Sequence, residues 1–205
     1  MSVAREIGDY AGSLFDVVGA SRLPHSEALL VVGLESTPER NLDEFSRPNG
    51  VFWPVGFERH IGPGLDSIVS LIRSSGFFAE PAGRWGYPPR GTINLKVEAI
   101  RAGLGARGKS TIVLHPKYGP RLRFAAIRTD APLDPLMKPP LTEEENPLCS
   151  DCNICIDACP VRVLEPYRMP DPTRCLSTIP LMPEEHGRLL PCDICLHLCP
   201  AGKQG

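Results

Sequence analysis

Eight cysteines occupy the last 57 residues of the chain and none the first 148. They read Cys149-x2-Cys152-x2-Cys155-x3-Cys159-Pro160, then Cys175, then Cys192-x2-Cys195-x3-Cys199-Pro200. Three thiolates spaced by two residues and a fourth just before a proline is the pattern that holds cubane iron-sulfur clusters, with the fourth thiolate given to the other cluster of a pair. Two such runs predict two [4Fe-4S] clusters with exchanged fourth ligands. Cluster A is expected on Cys149, Cys152, Cys155 and Cys199. Cluster B is expected on Cys192, Cys195, Cys159 and the distant Cys175, because the second run lacks its first cysteine. The chemistry is one-electron transfer at potentials tuned by burial and by hydrogen bonds to sulfur. His197 lies between two ligands, and with eight cysteines for eight places it is expected beside the cluster or in solvent rather than on iron.

Zinc and disulfides are the competing readings. Zinc sites favour paired two-residue spacings with tetrahedral closure, which explains neither the third cysteine nor the two Cys-Pro endings. Disulfides need an oxidising compartment, and the first twenty residues carry Glu6, Asp9 and Asp16 where a secretory leader needs an uninterrupted apolar run. No long apolar span appears either, so a cytoplasmic protein with no membrane partner is expected.

The elements that must position this array divide the chain unequally. A cubane pair with short helices needs only residues 149–205, leaving 1–130 for a separate α/β (α+β) module and 131–148 as a Pro-rich linker marked by Pro132, Pro135, Pro139, Pro140 and Pro147. Within the module, Ile7, Tyr10, Ala11 and Leu14 predict a helix over 5–15, and the apolar run 28–34 predicts a buried strand. Residues 36–64 read as a long surface loop, and Leu65, Ile68, Val69 and Ile72 as a helix starting near Gly62-Pro63-Gly64. A strand near 77–79, a loop over 81–91 and a helix capped by Asn94 and stopped by Gly103 follow. Residues 111–115 and 122–127 then read as two strands of a hairpin.

The 205 residues carry a net charge of −2, unevenly placed: residues 101–128 hold 7 basic groups and no carboxylate. Such a stretch is either an anion-binding surface or a basic hairpin packed on acidic neighbours. Gly103-Leu104-Gly105-Ala106-Arg107-Gly108-Lys109-Ser110, inside it, satisfies both the phosphate-cradling G-x4-G-K-S pattern and the dinucleotide G-x-G-x2-G pattern. Both motifs work by following a strand and opening a helix whose N–H groups face phosphate. Here a helical pattern precedes and a β-branched run follows, so ATP or NAD binding is not expected, and the glycines read as a helix-to-strand turn or a site for another anionic cofactor.

Three stretches taken together, 102–109 (AGLGARGK), 118–133 (YGPRLR leading to TDAPL) and the cysteine array with Arg174-Cys175-Leu176-Ser177 and Cys192-Asp193-Ile194-Cys195, resemble the C-terminal halves of epoxyqueuosine reductases and corrinoid reductive dehalogenases. The resemblance covers about residues 100 to 200. It implies a reduced nitroreductase-like sheet-and-helix layer, able to bind or dock a corrinoid (cobalamin), followed by a bacterial ferredoxin-like two-cluster domain that feeds electrons to cobalt. The expected corrinoid contacts are Gly103, Gly105, Arg107, Gly108 and Lys109 of the turn and Arg121 and Arg123 of the hairpin, the cations meeting the phosphate of the cofactor's tail. Tyr118 and Tyr87 are candidate proton donors, although such tyrosines more often pack with a satisfied hydroxyl, and His60, in the long loop, is a candidate ligand or acid.

The departures from the family narrow the expectation. No acid matches the family's proton donor upstream of AGLG, where this chain reads Pro88-Pro89-Arg90-Gly91, and no tRNA-binding repeats are matched. A redox oxidoreductase, or an electron carrier without its own substrate, is therefore expected to work with a redox partner protein. The overall negative charge argues against nucleic acid, and a shortened layer leaves room for a homodimer.

Overall fold

The computed structural model describes residues 2–24, 27–82, 93–139 and 146–202. Along the chain these form α1 (Val3–Leu14), β1 (Val17–Arg22), β2 (Ala28–Glu35), β3 (Phe45–Ser46), α2 (Val55–Ser74), β4 (Ala79–Pro81), α3 (Leu95–Arg101), β5 (Ala106–Arg107), β6 (Val113–Leu114), β7 (Leu122–Thr129), α4 (Ile154–Asp157), β8 (Glu184–Glu185), β9 (Arg188–Leu189) and α5 (Ile194–His197). Helices and strands mix throughout, as an α/β (α+β) class requires. Two compact units emerge. One gathers Met1–Glu35, Glu58–Gly105 and Leu122–Leu141; the other gathers Ser36–Phe57, Ala106–Arg121 and Thr142–Gly205.

The first unit is built on an antiparallel sheet in the order β1-β2-β7-β4. Consecutive residues of a strand face opposite sides of a sheet, and Leu29, Leu30, Val31 and Val32 of β2 are all fully buried, so β2 is covered on both faces. That is why its sequence is a continuous apolar run rather than an alternation. Ser2 caps α1 by accepting from the Arg5 N–H. Asn94 caps α3 by accepting from the N–H groups of Lys96 and Val97, and Gly103, at φ +72°, ends it. A buried carboxylate pins α3 to the sheet: Glu98 is 5% exposed, accepts from the Ser21 hydroxyl of β1 at 2.7 Å and from the Arg101 guanidinium at 2.8 Å. Gly19 lets the two elements close up, since a Cβ there would lie 2.5 Å from the Ala102 carbonyl oxygen.

Several expectations need correction. Helix α2 begins at Val55, well before the expected start, and runs through Gly62-Pro63-Gly64. Proline interrupts a helix because it lacks an N–H and its ring crowds the preceding turn; here the glycines on either side remove competing Cβ atoms, and at Gly64 the Phe15 ring approaches to 2.9 Å of where a Cβ would be. His60 therefore sits on a helix, not in a loop. The strand near 77–79 is β4, two residues later.

The hairpin over 111–128 is absent. β6 pairs with β5, while β7 pairs with β2 and β4. His115 and Gly119 exchange backbone hydrogen bonds around a tight turn, and Pro120, having no N–H, ends that pairing before Leu122 starts the new strand. Residues 131–139 are no loose linker either. Leu133 is fully buried, Met137 bridges to Ala20, and Asp134 pairs with Arg22. The expected boundaries at 130 and 148 thus give way to a second unit that draws in two earlier segments. The loop expected over 81–91, with Trp85 and Tyr87, and the acidic run 143–145 lie outside the described residues apart from its first two positions. No helix among the described residues is long and apolar enough to cross a membrane.

Gly19→Ala should lower stability by about 1–3 kcal/mol through overpacking against a backbone carbonyl. Gly12→Ala, in the interior of α1 with nothing within 4 Å of the added Cβ, should be neutral or stabilising by up to about 1 kcal/mol. Urea unfolding followed by circular dichroism checks both, and equal effects would contradict the packing described.

Candidate metal centre

The second unit is organised by its cysteine runs. Asn146 opens the first by capping a 3-10 turn over Pro147–Cys149: its side-chain oxygen accepts from the Leu148 N–H at 3.0 Å, and its carbonyl accepts from the Cys149 N–H at 2.7 Å. A further turn, with the Cys152 N–H donating to the Cys149 carbonyl at 3.1 Å, leads into α4, which presents Cys155. The second run repeats the design with α5 presenting Cys195. The residues before the two helices match in backbone conformation, Asn153 at φ −122°, ψ 10° and Asp193 at φ −118°, ψ 9°, as do Ala158 and Leu198 after them. Each helix lasts one turn because a Cys-Pro pair follows, and α4 packs against α5.

The thiols fall into neighbourhoods that cross the two runs. Burial pushes the Cys155 thiol up, and Cys149, Cys199 and Cys152 add to the shift as neighbouring negative charges. Cys195 is pushed up to about 11, first by burial and then by Cys175, Cys192 and Cys155. Cys199, at the end of the second run, thus neighbours the helical cysteine of the first. Two bonds bring Cys175 in: the Ser177 hydroxyl donates to the Cys192 carbonyl, and the Arg174 guanidinium donates to the Val161 carbonyl, two residues after Cys159, at 3.3 Å. Between Cys175 and Cys192 the chain makes the β8-β9 hairpin, turned by His186 and Gly187 at positive φ, and β9 pairs with β3 so that Leu189 packs with Phe45, Met182 and Phe52.

Two of these eight free thiols depart from a dithiol redox site in the direction of their shift. Reactive cysteines have lowered pKa values from helix N-termini or cations, whereas Cys155 and Cys195 shift upward. Thiols of this kind become thiolates when a cation replaces the proton. No group of three or more His, Cys, Asp or Glu among the described residues is gathered tightly enough for a single metal ion. A cubane instead binds one thiolate at each of four separate iron corners. The donor set and its grouping fit that larger cofactor.

Leu114 of β6, Cys149 and Ala201 form a buried cluster, with Tyr167 and Cys199 packed against it. Ile154 and Leu198, each next to a cysteine, are 45% and 43% exposed. His197 is exposed on α5.

Several of the residues expected at a corrinoid have other engagements. Gly103, Gly105 and Arg123 belong to the first unit; Arg107, Gly108, Lys109 and Arg121 belong to the second. The space beside Gly103 is taken by the Lys138 side chain, and a Cβ on Gly108 would meet Leu114 at 2.8 Å. Lys109 donates to the Ser150 carbonyl and the Asn153 side chain, Arg121 to the Gly202 carbonyl and Arg123 to the carbonyl of Leu122. Tyr118 stacks near His115, with ring centroids 5.0 Å apart, under the Lys117 ammonium. No helix follows Ser110, so the segment 103–110 is no phosphate cradle. Sequence reading missed Asn146, Ser177 and Leu114. Asn-Pro before the first cysteine was the available signal for the first of these.

No protein-family model matches the chain. Over 104 residues it is 32% identical to the tetrachloroethene reductive dehalogenase of Dehalobacter restrictus, a match spanning 50% of this chain and 17% of that protein. Over 87 residues it is 35% identical to the epoxyqueuosine reductase of Listeria monocytogenes, spanning 42% of this chain and 21% of that one. The fold matches a crystal structure of epoxyqueuosine reductase with a TM-score of 0.70 at 18% identity, covering 98% of this chain and 65% of the other. It also matches a reductive dehalogenase, whose structure suggests a mechanism for B12-dependent dehalogenation, with a TM-score of 0.62 at 16% identity, covering 84% and 28%. The chain resembles this superfamily of reductases, and its relatives support a redox role.

Cys175→Ala should cost cluster B iron or the whole cluster and leave the paramagnetic signal of cluster A in place. Cys199→Ala should abolish cluster A although Cys199 lies in the second run. Iron analysis with electron paramagnetic resonance of the reduced variants reads both; unchanged iron and spectra in Cys175→Ala would make the ligand assignment wrong.

Proposed function

We propose that this chain is an iron-sulfur redox protein that passes single electrons through two [4Fe-4S] clusters to a bound or docked corrinoid. The observation that carries the reading is the crossed neighbourhood of Cys155, whose thiol has Cys149 and Cys152 from its own run and Cys199 from the other as neighbours. Cysteine arrays that exchange their last ligand belong to two-cluster proteins. Cys149, Cys152, Cys155 and Cys199 would hold one cluster, and Cys159, Cys175, Cys192 and Cys195 the other. Bound clusters supply one-electron transfer at potentials set by their surroundings. The chain's own part is to exclude water with Leu114 and Tyr167, to fix the first run through Asn146, and to bring Cys175 to the second through Ser177.

The corrinoid acceptor is supported by the superfamily resemblance and by the B12-dependent dehalogenation named for one structural relative. A second reading, a dedicated electron carrier working between partner proteins, is favoured by the engagement of Lys109 and Arg121 with the chain's own carbonyls.

Titration of the reconstituted protein with cobalamin separates the two. A saturable shift of the cobalt absorption bands is the expected result. An unchanged spectrum at high cofactor excess would overturn the corrinoid assignment and leave the carrier.

A further inference from the structure

The segment that imitates a phosphate cradle has a different use in this fold. Lys109 extends its ammonium to the Ser150 carbonyl at 3.2 Å and to the Asn153 side-chain oxygen at 3.1 Å, the residues immediately after Cys149 and Cys152. The Lys109 carbonyl accepts from the Tyr167 N–H at 3.2 Å, and the Ala106 carbonyl accepts from the Asn146 side chain at 3.4 Å. At its other end the same segment grips the tail after Cys199: Arg121 donates to the Gly202 carbonyl at 3.1 Å, and a Cβ on Gly119 would lie only 2.0 Å from the Ala201 carbonyl oxygen. One stretch, Ala106–Arg121, therefore holds both chain segments assigned to cluster A.

The segments assigned to cluster B have a cation of their own, Arg174, which precedes Cys175 and donates to the Val161 carbonyl two residues after Cys159. Asp193 occupies the place of Asn153, with the same backbone conformation, and is exposed. Each set of ligands thus has a cation tied beside it, and carboxylates stand in both runs, Asp151 and Asp157 in the first and Asp193 in the second.

We infer that Lys109 is a positioning residue that fixes the Cys149–Cys155 loop and raises the reduction potential of cluster A. The inference rests on the two-cluster reading. Reduction adds a negative charge to a cluster already bearing four thiolates, and a nearby cation stabilises that added charge while a carboxylate opposes it. Lys109 and Asp193 are not among the assigned ligands, so either can be altered without removing one.

A redox titration of the reconstituted full chain, followed by electron paramagnetic resonance, tests this directly. The native protein should show two waves. Lys109→Gln should move one wave to lower potential and leave the other in place, while Lys109→Arg keeps the native value. Asp193→Asn should raise the other wave alone, and it provides the test should Lys109→Gln lose its iron. Two native waves that neither Lys109→Gln nor Asp193→Asn moves, or that move together, would overturn the inference and leave the two-cluster reading standing. A single native wave with iron for one cluster would overturn both.

Discussion

Thiolates repel one another, and a protein that gathers several of them must fix its backbone firmly enough to keep them together against that repulsion and against the loss of water around them. Here the fixing is done by short local devices. Asn146 caps the first cysteine turn, single-turn helices aim Cys155 and Cys195, and the two Cys-Pro endings stop each helix after one turn. The remaining cysteines arrive by long-range ties, Ser177 to Cys192 and Arg174 to Val161. Burial first, and then the neighbouring cysteines, push the Cys155 and Cys195 thiols up, a pressure relieved when a cation takes the place of the protons.

The rest of the second unit follows from the need to hold those turns. Segments far apart in sequence contribute: Phe45 supplies an edge for the hairpin between Cys175 and Cys192, Leu114 covers Cys149, and Lys109 and Arg121 secure the loops on either side. The first unit stands on a different footing, an antiparallel sheet whose central strand is buried on both faces and whose helix α3 is tied down by the buried Glu98. The likeness of the chain to reductase structures is one of fold, at 16% to 18% identity in the structures compared.

Local signals in the sequence were legible where the physics is local. The cysteine spacing, the buried strand at 28–34, the Asn94 cap and the Gly103 stop all depend on residues within a few positions of one another, and the structure has each element there. What escaped the sequence depends on distant partners. A two-residue strand such as Phe45–Ser46 has no periodicity of its own and exists because Arg188–Leu189 pairs with it. Likewise Val113–Leu114 pairs backward with Ala106–Arg107 rather than forward with the longer apolar strand that follows. Gly62-Pro63-Gly64 reads as a break, yet the helix continues because burial of Ile61, Leu65, Ile68 and Ile72 outweighs the missing hydrogen bond. The basic stretch at 101–128 reads either as an anion-binding surface or as a hairpin packed on acidic neighbours; in the structure Lys109, Arg121 and Arg123 are bonded to uncharged oxygens of the chain, and Arg101 and Arg128 to the carboxylates of Glu98 and Glu80.

Metal content is the most direct measure of the central claim that eight thiols form two crossed cubane sites. Anaerobic reconstitution followed by iron and acid-labile sulfide analysis should give about eight of each per chain, the sum for two cubanes. A reproducible value near four of each, on protein that is folded and fully reduced beforehand, would contradict it.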